Sequence, residues 1–147
     1  MFHVSTMLPH EDADPQKLQK KRHIGNDIVC VAFLEADDAL FWPGCIKSHF
    51  LHTFIVVKTT PRELSPDETR KYTVAVVCRD EVSAFKPYLW HQSEFEKVIN
   101  IMFSTYRFEI LIFLQGSHFR EWLLTKIING ERASYSSPKF ARMQVIN

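Results

Sequence analysis

The sequence predicts a single α/β domain in which helices flank a β-sheet. Three observations support this fold class: short runs rich in β-branched residues, a helix start signal near the N-terminus and an amphipathic segment near the C-terminus. A length of 147 residues fits one domain. With 46% apolar residues and only 4 Gly, the composition supports a packed core and excludes a disordered or collagen-like chain.

The first predicted element is a helix over residues 15–24. Asp14 can cap its free amides, and Pro15 is tolerated at the first helical position. Gly25 supplies a left-handed cap at the C-terminal end. Because only two large apolar residues lie in this segment, the helix is polar nearly all round and gains little from burial.

Three strands are predicted next. Residues 28–33 form a β-branched run that is typical of a strand buried on both faces. Residues 52–58 and 71–79 predict two further strands. The polar, proline-containing segment between these two strands is typical of a long hairpin loop.

The C-terminal third predicts a helix and contains one ambiguous segment. Residues 117–129 place their large apolar side chains on one side, so they predict a helix that covers one face of the sheet and ends at Gly130. The apolar residues of segment 90–115 fit both helix and strand periods, and the helix is the favoured interpretation.

Charge and cysteine content exclude several function classes. Eighteen Lys+Arg and 17 Asp+Glu give a formal net charge of +1, without the basic footprint typical of nucleic-acid binding. Three widely spaced cysteines without a CxxC pair predict reduced thiols in an intracellular protein. Because no secretory signal is present and polar residues interrupt the apolar stretch over 98–114, we expect a cytoplasmic protein without membrane insertion.

Several strings along the chain resemble one known family. FHVSTMLP at residues 2–9 and KRHIGNDIV at residues 21–29 closely resemble the catalytic domain of the Rap-specific GTPase-activating proteins, which are related to tuberin and the Ral GTPase-activating proteins. Later landmarks of that family have similar counterparts in the same order: SHFLH at residues 48–52, FKP at residues 85–87 and LLTKIINGE at residues 123–131.

The resemblance implies a mixed β-sheet with flanking helices. It identifies residues 1–147 as a partial, N-terminally truncated Rap-GAP-type catalytic domain, in which the apolar segment at about 90–116 is atypical. The dimerisation region that precedes this domain in the family has no counterpart here. A homodimer would therefore form only through a region absent from this sequence.

The resemblance also implies a mechanism, in which the chain stimulates GTP hydrolysis by a Rap-type small GTPase in its GTP-bound form. Asn26 corresponds to the family's asparagine thumb, which replaces the water-orienting glutamine that Rap proteins lack. Lys21, Arg22 and His23 correspond to residues that bind the GTPase or support the asparagine. Arg22 suits an arginine finger chemically, but the resemblance assigns its counterparts to docking.

No cofactor or metal is expected in this chain, and GTP and Mg²⁺ belong to the partner GTPase. The sequence contains no GxxxxGK[ST] phosphate-binding loop, so we do not expect it to bind GTP itself. No nucleophile signature supports a hydrolase site of its own. The chain is therefore expected to activate the hydrolysis in trans.

Other interpretations of the same residues remain open. Without the resemblance, Asn26 is a turn residue at a helix exit and residues 20–23 are a solvated basic helix end. His49 and His52 have HxxH spacing, but strand geometry separates them and no further ligand completes a zinc site. The alternative function is a non-catalytic, truncated interaction protein of the same family.

Overall fold

The computed structural model describes residues 1–35, 39–59, 71–88, 101–103, 106–114 and 117–145. These residues form a five-stranded sheet with helices on both sides. The elements in chain order are α1 (Leu18–Asn26), β1 (Val29–Leu34), a short 3₁₀ helix (Pro43–Cys45), β2 (Thr53–Thr59), β3 (Lys71–Arg79), β4 (Ile101–Phe103), β5 (Tyr106–Leu114), α2 (Ser117–Tyr135) and α3 (Pro138–Val145).

The sheet is mixed, with the strand order β1-β2-β3-β5-β4. β1 and β2 run parallel, whereas β2-β3, β3-β5 and β4-β5 are antiparallel pairs. The predicted fold class is confirmed, and β2 and β3 form the predicted antiparallel pair, with β3 over the predicted residues.

The prediction that β1 is buried on both faces is wrong. β1 is an edge strand, and its Val31 and Phe33 side chains are 43% and 53% exposed. Burial is concentrated in β2, where Ile55 is 0% exposed. The β-branched composition identified a strand, but it could not show that the strand lies at the edge of the sheet.

The favoured helix interpretation of segment 90–115 is also wrong where the structure describes it. Residues 101–103 and 106–114 are strands, while residues 90–100 lie outside the described residues. β5 pairs with β3 over nine residues, from Lys71↔Leu114 to Arg79↔Tyr106. This pairing satisfies the edge of β3 that faces away from β2, which would otherwise present unpaired backbone groups.

The main core lies between α2 and one face of the sheet. Trp122 of α2 packs there against residues of the sheet and of the loop that follows β3. The buried residues of this core cluster are Ile55, Val57, Val74, Val76, Cys78, Val82, Phe85 and Trp122. α2 covers this face as predicted, but it continues through Gly130 to Tyr135. Gly130 is buried rather than terminal, because α2 approaches Phe85 closely at this position. α3 has no counterpart in the sequence prediction.

α1 begins three residues later and ends two residues later than predicted. The Asp14 carboxylate accepts a hydrogen bond from the Gln19 N–H at 3.1 Å, so it does cap free amides of this helix. Backbone hydrogen bonds from Leu18 and Gln19 lower the pKa of Asp14. Lys17 has the left-handed conformation, with φ 53°, whereas Gly25 continues the helix.

A search of the described residues finds no helix that is both long and apolar enough to cross a membrane.

Candidate functional site

The predicted site residues all lie in the last two turns of α1. Lys21, Arg22 and Asn26 are exposed, and His23 is half-buried. Asn26 is the final helical residue, because the backbone becomes extended at Asp27, with φ −79° and ψ 154°. The change of direction leaves Asn26 at the tip of the helix, where the chain turns toward β1.

The carboxamide of Asn26 is available to another molecule. The residue is exposed, and its side chain makes no hydrogen bond within the described ranges. A carboxamide combines an acceptor oxygen with an NH₂ donor and does not titrate near neutral pH. Such a group can orient a water molecule and a phosphate oxygen at once, without itself taking a proton.

Ser48 holds the backbone directly before Asn26. Its Oγ donates a hydrogen bond of 2.6 Å to the carbonyl oxygen of Gly25. The same Oγ accepts hydrogen bonds from the N–H groups of Phe50 (3.0 Å) and Leu51 (3.2 Å). One hydroxyl therefore ties the C-terminal end of α1 to the loop that enters β2.

Arg79, at the end of β3, braces that loop in turn. Its Nη2 donates to the carbonyl of Ser48 at 2.8 Å, and its Nε donates to the carbonyl of Leu51 at 3.0 Å. Hydrogen bonds from a charged guanidinium are stronger than neutral ones, and its two donors have fixed relative directions. The support behind Asn26 thus extends from the tip of α1 through Ser48 into the sheet.

His3 supports the other side of the helix end. Its Nδ1–H donates to the carboxylate Oδ1 of Asp27 at 2.8 Å. The ring of His3 also lies 4.8 Å from the ring of His23, centroid to centroid. These contacts secure the residue that follows Asn26 and account for the partial burial of His23.

Ile24 is the apolar anchor of the site. It packs against the second core cluster, formed by Leu51, Phe54 and Val77. α1 itself contains no buried residue. The C-terminal end of α1 is therefore fixed by packing. In the described part of the chain, no other point along the helix has comparable packing.

Gly25 occupies an ordinary helical position between the anchor and the tip. Its predicted role as a left-handed cap is wrong, because its φ is not positive. A glycine inside a helix is about 0.5–1 kcal/mol less favourable than alanine. Backbone geometry gives no reason for glycine here.

The nearby thiol of Cys30, on β1, is not suited to nucleophilic chemistry. Burial is the main cause that raises its pKa to about 11, with a further contribution from the carboxylate of Asp27. The thiolate is the reactive form of cysteine, so this group stays protonated and inert at neutral pH. The sequence predicts reduced thiols, and Cys30, Cys45 and Cys78 are all free cysteines in the structure.

Sequence reasoning located the exposed residues of the site but missed the residues that hold them. Ser48, Arg79 and His3 lie far from Asn26 in the sequence, and no local pattern assigns them this role. The only signal for Ser48 and His3 is that both fall within strings that resemble the family. Arg79 carries no such signal.

Comparison with known proteins decides the family of this chain. A sequence model of the Rap/ran-GAP family matches residues 1–146. The chain belongs to the Rap/ran-GAP family. The resemblance inferred from the sequence strings is thereby confirmed.

Individual Rap/ran-GAP relatives match nearly the whole chain. The GTPase-activating Rap/Ran-GAP domain-like protein 3 of Danio rerio is 37% identical over 144 residues, which is 97% of this chain and 12% of that protein. Signal-induced proliferation-associated 1-like protein 1 of Mus musculus is 39% identical over 144 residues, which is 97% of this chain and 7% of that protein. The chain therefore spans a small part of each curated relative.

The solved structure of the TSC2 GAP domain supports the same Rap/ran-GAP fold. It is 27% identical in sequence to this chain and superposes with a TM-score of 0.59. The match covers 90% of this chain and 58% of that chain. The fold of this chain thus corresponds to part of the TSC2 GAP domain chain, but not to all of it.

Proposed function

We propose that this chain stimulates GTP hydrolysis by a Rap-type small GTPase in its GTP-bound form, and that Asn26 acts in trans to position the attacking water. The observation that carries the proposal is the exposed carboxamide of Asn26 at the tip of a helix whose end is fixed from behind. Membership of the Rap/ran-GAP family supplies the class of partner. The nucleotide and Mg²⁺ belong to that partner.

The chemistry of Asn26 suits this role. Hydrolysis by small GTPases is slow because the attacking water and the charge that spreads in the transition state are poorly organised. A carboxamide can accept a hydrogen bond from the water and donate one to an oxygen of the reacting phosphate. The role requires accurate placement of the carboxamide, and the hydrogen bond from Ser48 to the backbone of Gly25 supports such placement.

The size of the rate acceleration determines how much of the barrier reduction one side chain must supply. GTPase activation of about 10⁵-fold corresponds to a barrier reduction of roughly 7 kcal/mol. Removing a single preorganised hydrogen-bonding group from an active site typically costs about 10²–10³ in rate. Asn26 thus accounts for part of the acceleration, and exclusion of water and the partner's own groups supply the rest.

Lys21 and Arg22 are proposed to bind the GTPase. Both are exposed cations on the helix that ends in Asn26, so they can pair with acidic groups of a partner that surrounds the tip. His23 is half-buried beside His3, which suits support of the helix end better than direct contact. Because Arg22 is assigned to binding, replacing it by Ala should weaken complex formation more than it lowers the saturated hydrolysis rate.

The decisive experiment is single-turnover GTP hydrolysis by Rap·GTP with the wild-type chain and with Asn26→Ala. We expect the wild-type chain to accelerate hydrolysis, and the variant to lose about 10²-fold or more of the stimulated rate. Gln19→Ala is the matched control, because it removes an exposed carboxamide from the same helix about two turns away. Equal stimulation by Asn26→Ala and wild type would remove Asn26 from the mechanism.

One observation favours a second candidate, a non-catalytic protein that binds the GTPase without stimulating it. The match covers only 58% of the TSC2 GAP chain, so groups that complete the site there need not be present here. The same assay separates the two functions when binding is measured in parallel. Binding of Rap·GTP at full affinity with no acceleration would favour the second.

A further inference from the structure

Gly25 differs from the other glycines in the described part of the chain. A Cβ at Gly44 would lie 2.5 Å from the indole Nε1 of Trp42, and a Cβ at Gly130 would lie 3.2 Å from Cζ of Phe85. At both positions a neighbour in this chain accounts for the absence of a side chain. Apart from its chain neighbours and the backbone of α1, a Cβ at Gly25 would meet no atom of the described residues within 4 Å.

Backbone conformation does not explain Gly25 either. α1 continues through this residue, and none of the described glycines has a positive φ. The Gly25 carbonyl is also held in place, because it accepts a hydrogen bond of 2.6 Å from the hydroxyl of Ser48. An alanine would suit a helical position with open space better than a glycine does. Within the described part of the fold, nothing therefore requires glycine at position 25.

The open side of Gly25 continues the face that carries the exposed cations. Residues three and four positions apart share one face of a helix, so Gly25 lies on the face of Lys21 and Arg22. Both of these side chains are exposed. A molecule bound across them would extend over Gly25 before it reached the tip.

Because the side chain of Asn26 is short, any molecule that its carboxamide contacts must lie close to the backbone of α1. Consecutive Cα atoms are about 3.8 Å apart, so Gly25 is carried toward the partner together with Asn26. For Asn26 to reach a nucleotide that lies in a cleft, the end of the helix must itself enter the cleft. Space beside Gly25 is then taken by the walls of that cleft.

We infer that the Cα of Gly25 is a close-contact point for the bound small GTPase, whose atoms occupy the space that a Cβ would fill. This inference rests on the proposed function, because it uses the same partner and the same helix. The contact is one of shape, since the Gly25 carbonyl is already bonded to Ser48. Glycine at position 25 thus favours binding of the GTPase, whereas alanine would favour the stability of the free chain.

The test uses Gly25→Ala and Gly25→Val in the full chain, with two measurements on each variant. One is the melting temperature, and the other is the Kd for Rap loaded with a non-hydrolysable GTP analogue. We expect Gly25→Ala to melt at or above the wild-type temperature and to bind Rap about tenfold more weakly, as when a methyl group is forced into a packed contact. Gly25→Val should bind more weakly still.

The outcomes separate this contact from the proposed function. If the wild-type chain binds Rap and both variants bind within twofold of it, the contact is overturned while the proposed function stands. If Gly25→Ala melts well below wild type, the fold does need this glycine, and the inference is overturned. If the wild-type chain fails to bind Rap, the proposed function and the contact fall together.

Discussion

Two of the helices beside the sheet, α1 and α2, are held in opposite ways. α2 buries side chains along its length: Trp122 is 6% exposed, Lys126 is 1% exposed and Ser134 is 0% exposed. α1 buries no residue, and its Leu18 is 53% exposed. The core therefore holds α2 in place, whereas α1 depends on contacts at its C-terminal end.

The difference is consistent with the proposed function, in which the tip of α1 enters the partner GTPase. A tip with that role cannot be buried in the core of its own chain. Its support has to lie behind the tip, as the contacts of Ser48, His3 and Ile24 do. We therefore expect changes in α2 to alter mainly the stability of the fold, and changes behind the tip of α1 to alter mainly the placement of Asn26.

The largest expected effect comes from Lys126 in α2. Its buried Nζ donates to the carbonyls of Phe85 (2.9 Å) and Pro87 (3.1 Å) and lies 4.2 Å from the centroid of the Phe85 ring. Lys126→Met keeps much of the volume but leaves these two carbonyls without their charged donor. We expect the free energy of unfolding to fall by about 2–4 kcal/mol, measured by urea denaturation.

Lys139→Met is the matched control for that change. Lys139 is an exposed lysine of α3, and its Nζ lies 3.4 Å from the carboxylate of Glu81. The Lys139 side chain is 60% exposed, although Glu81 is only 12% exposed. Ion pairs open to solvent contribute about 0–1 kcal/mol, so this variant should lose clearly less stability than Lys126→Met. Equal losses for the two lysines would show that the buried contacts of Lys126 do not hold α2 in place.

The contrast between the two helices also shows how far sequence reasoning reaches. The β2-β3 hairpin could be predicted because long β-branched runs restrict the backbone locally. The helix ends could not, because Gly25 and Gly130 both lie inside helices in the structure. Glycine permits a left-handed cap but does not impose one. At the end of α1, the hydrogen bond from the distant Ser48 holds Gly25 within the helix.

The same limit applies to β5 and to the site. An apolar run such as residues 106–114 fits helix and strand alike, and pairing with β3 decided between them. Asn26 could be located because it lies in a string that resembles the family. Ser48 could not be assigned its role, because the carbonyl that it holds is 23 residues away in the sequence.

The second prediction concerns Ser48→Ala, which removes the hydroxyl that ties α1 to the loop before β2. The carbonyl of Gly25 loses its donor, and two loop N–H groups lose their acceptor. We expect a loss of about 1–2 kcal/mol in stability, which is smaller than for Lys126→Met. The stimulated hydrolysis rate at saturating chain should nevertheless fall about tenfold, because Asn26 is no longer held in place.

A double-mutant cycle shows whether Ser48 acts through Asn26. In an Asn26→Ala background, Ser48→Ala should lower the saturated rate no further, since the group that it positions is already gone. Ser83→Ala, at an exposed loop serine, serves as the matched control and should stay within about 0.5 kcal/mol of wild type. An equal rate loss in both backgrounds would show that Ser48 has no part in placing Asn26.

The smallest expected effect is a dependence on pH at His52, which lies between the support of α1 and the C-terminal helices. His52 is fully buried, its Nδ1–H donates to the carbonyl of Phe50 at 2.7 Å, and its ring packs edge-on against Phe140 of α3. Burial lowers the pKa of His52 from its ordinary value, and Arg79 adds to this lowering.

The sign of the effect follows from which state binds the proton. With the pKa of His52 lower in the folded state, the unfolded chain takes up the proton first as the pH falls through the ordinary histidine range, so stability decreases there. The hydrogen bond from His52 to Phe50 and the carboxylate of Glu81, 3.8 Å from Nε2, raise the pKa of His52, but they do not outweigh the lowering by burial.

We expect His52→Gln to show a shallower loss of unfolding free energy between pH 7 and pH 5 than wild type, measured by urea denaturation at each pH. Because the comparison is between slopes, any packing loss in the variant cancels. A variant slope as steep as the wild-type slope would mean that His52 is not kept neutral by its burial, and that the loop behind α1 is more open to water than its contacts indicate.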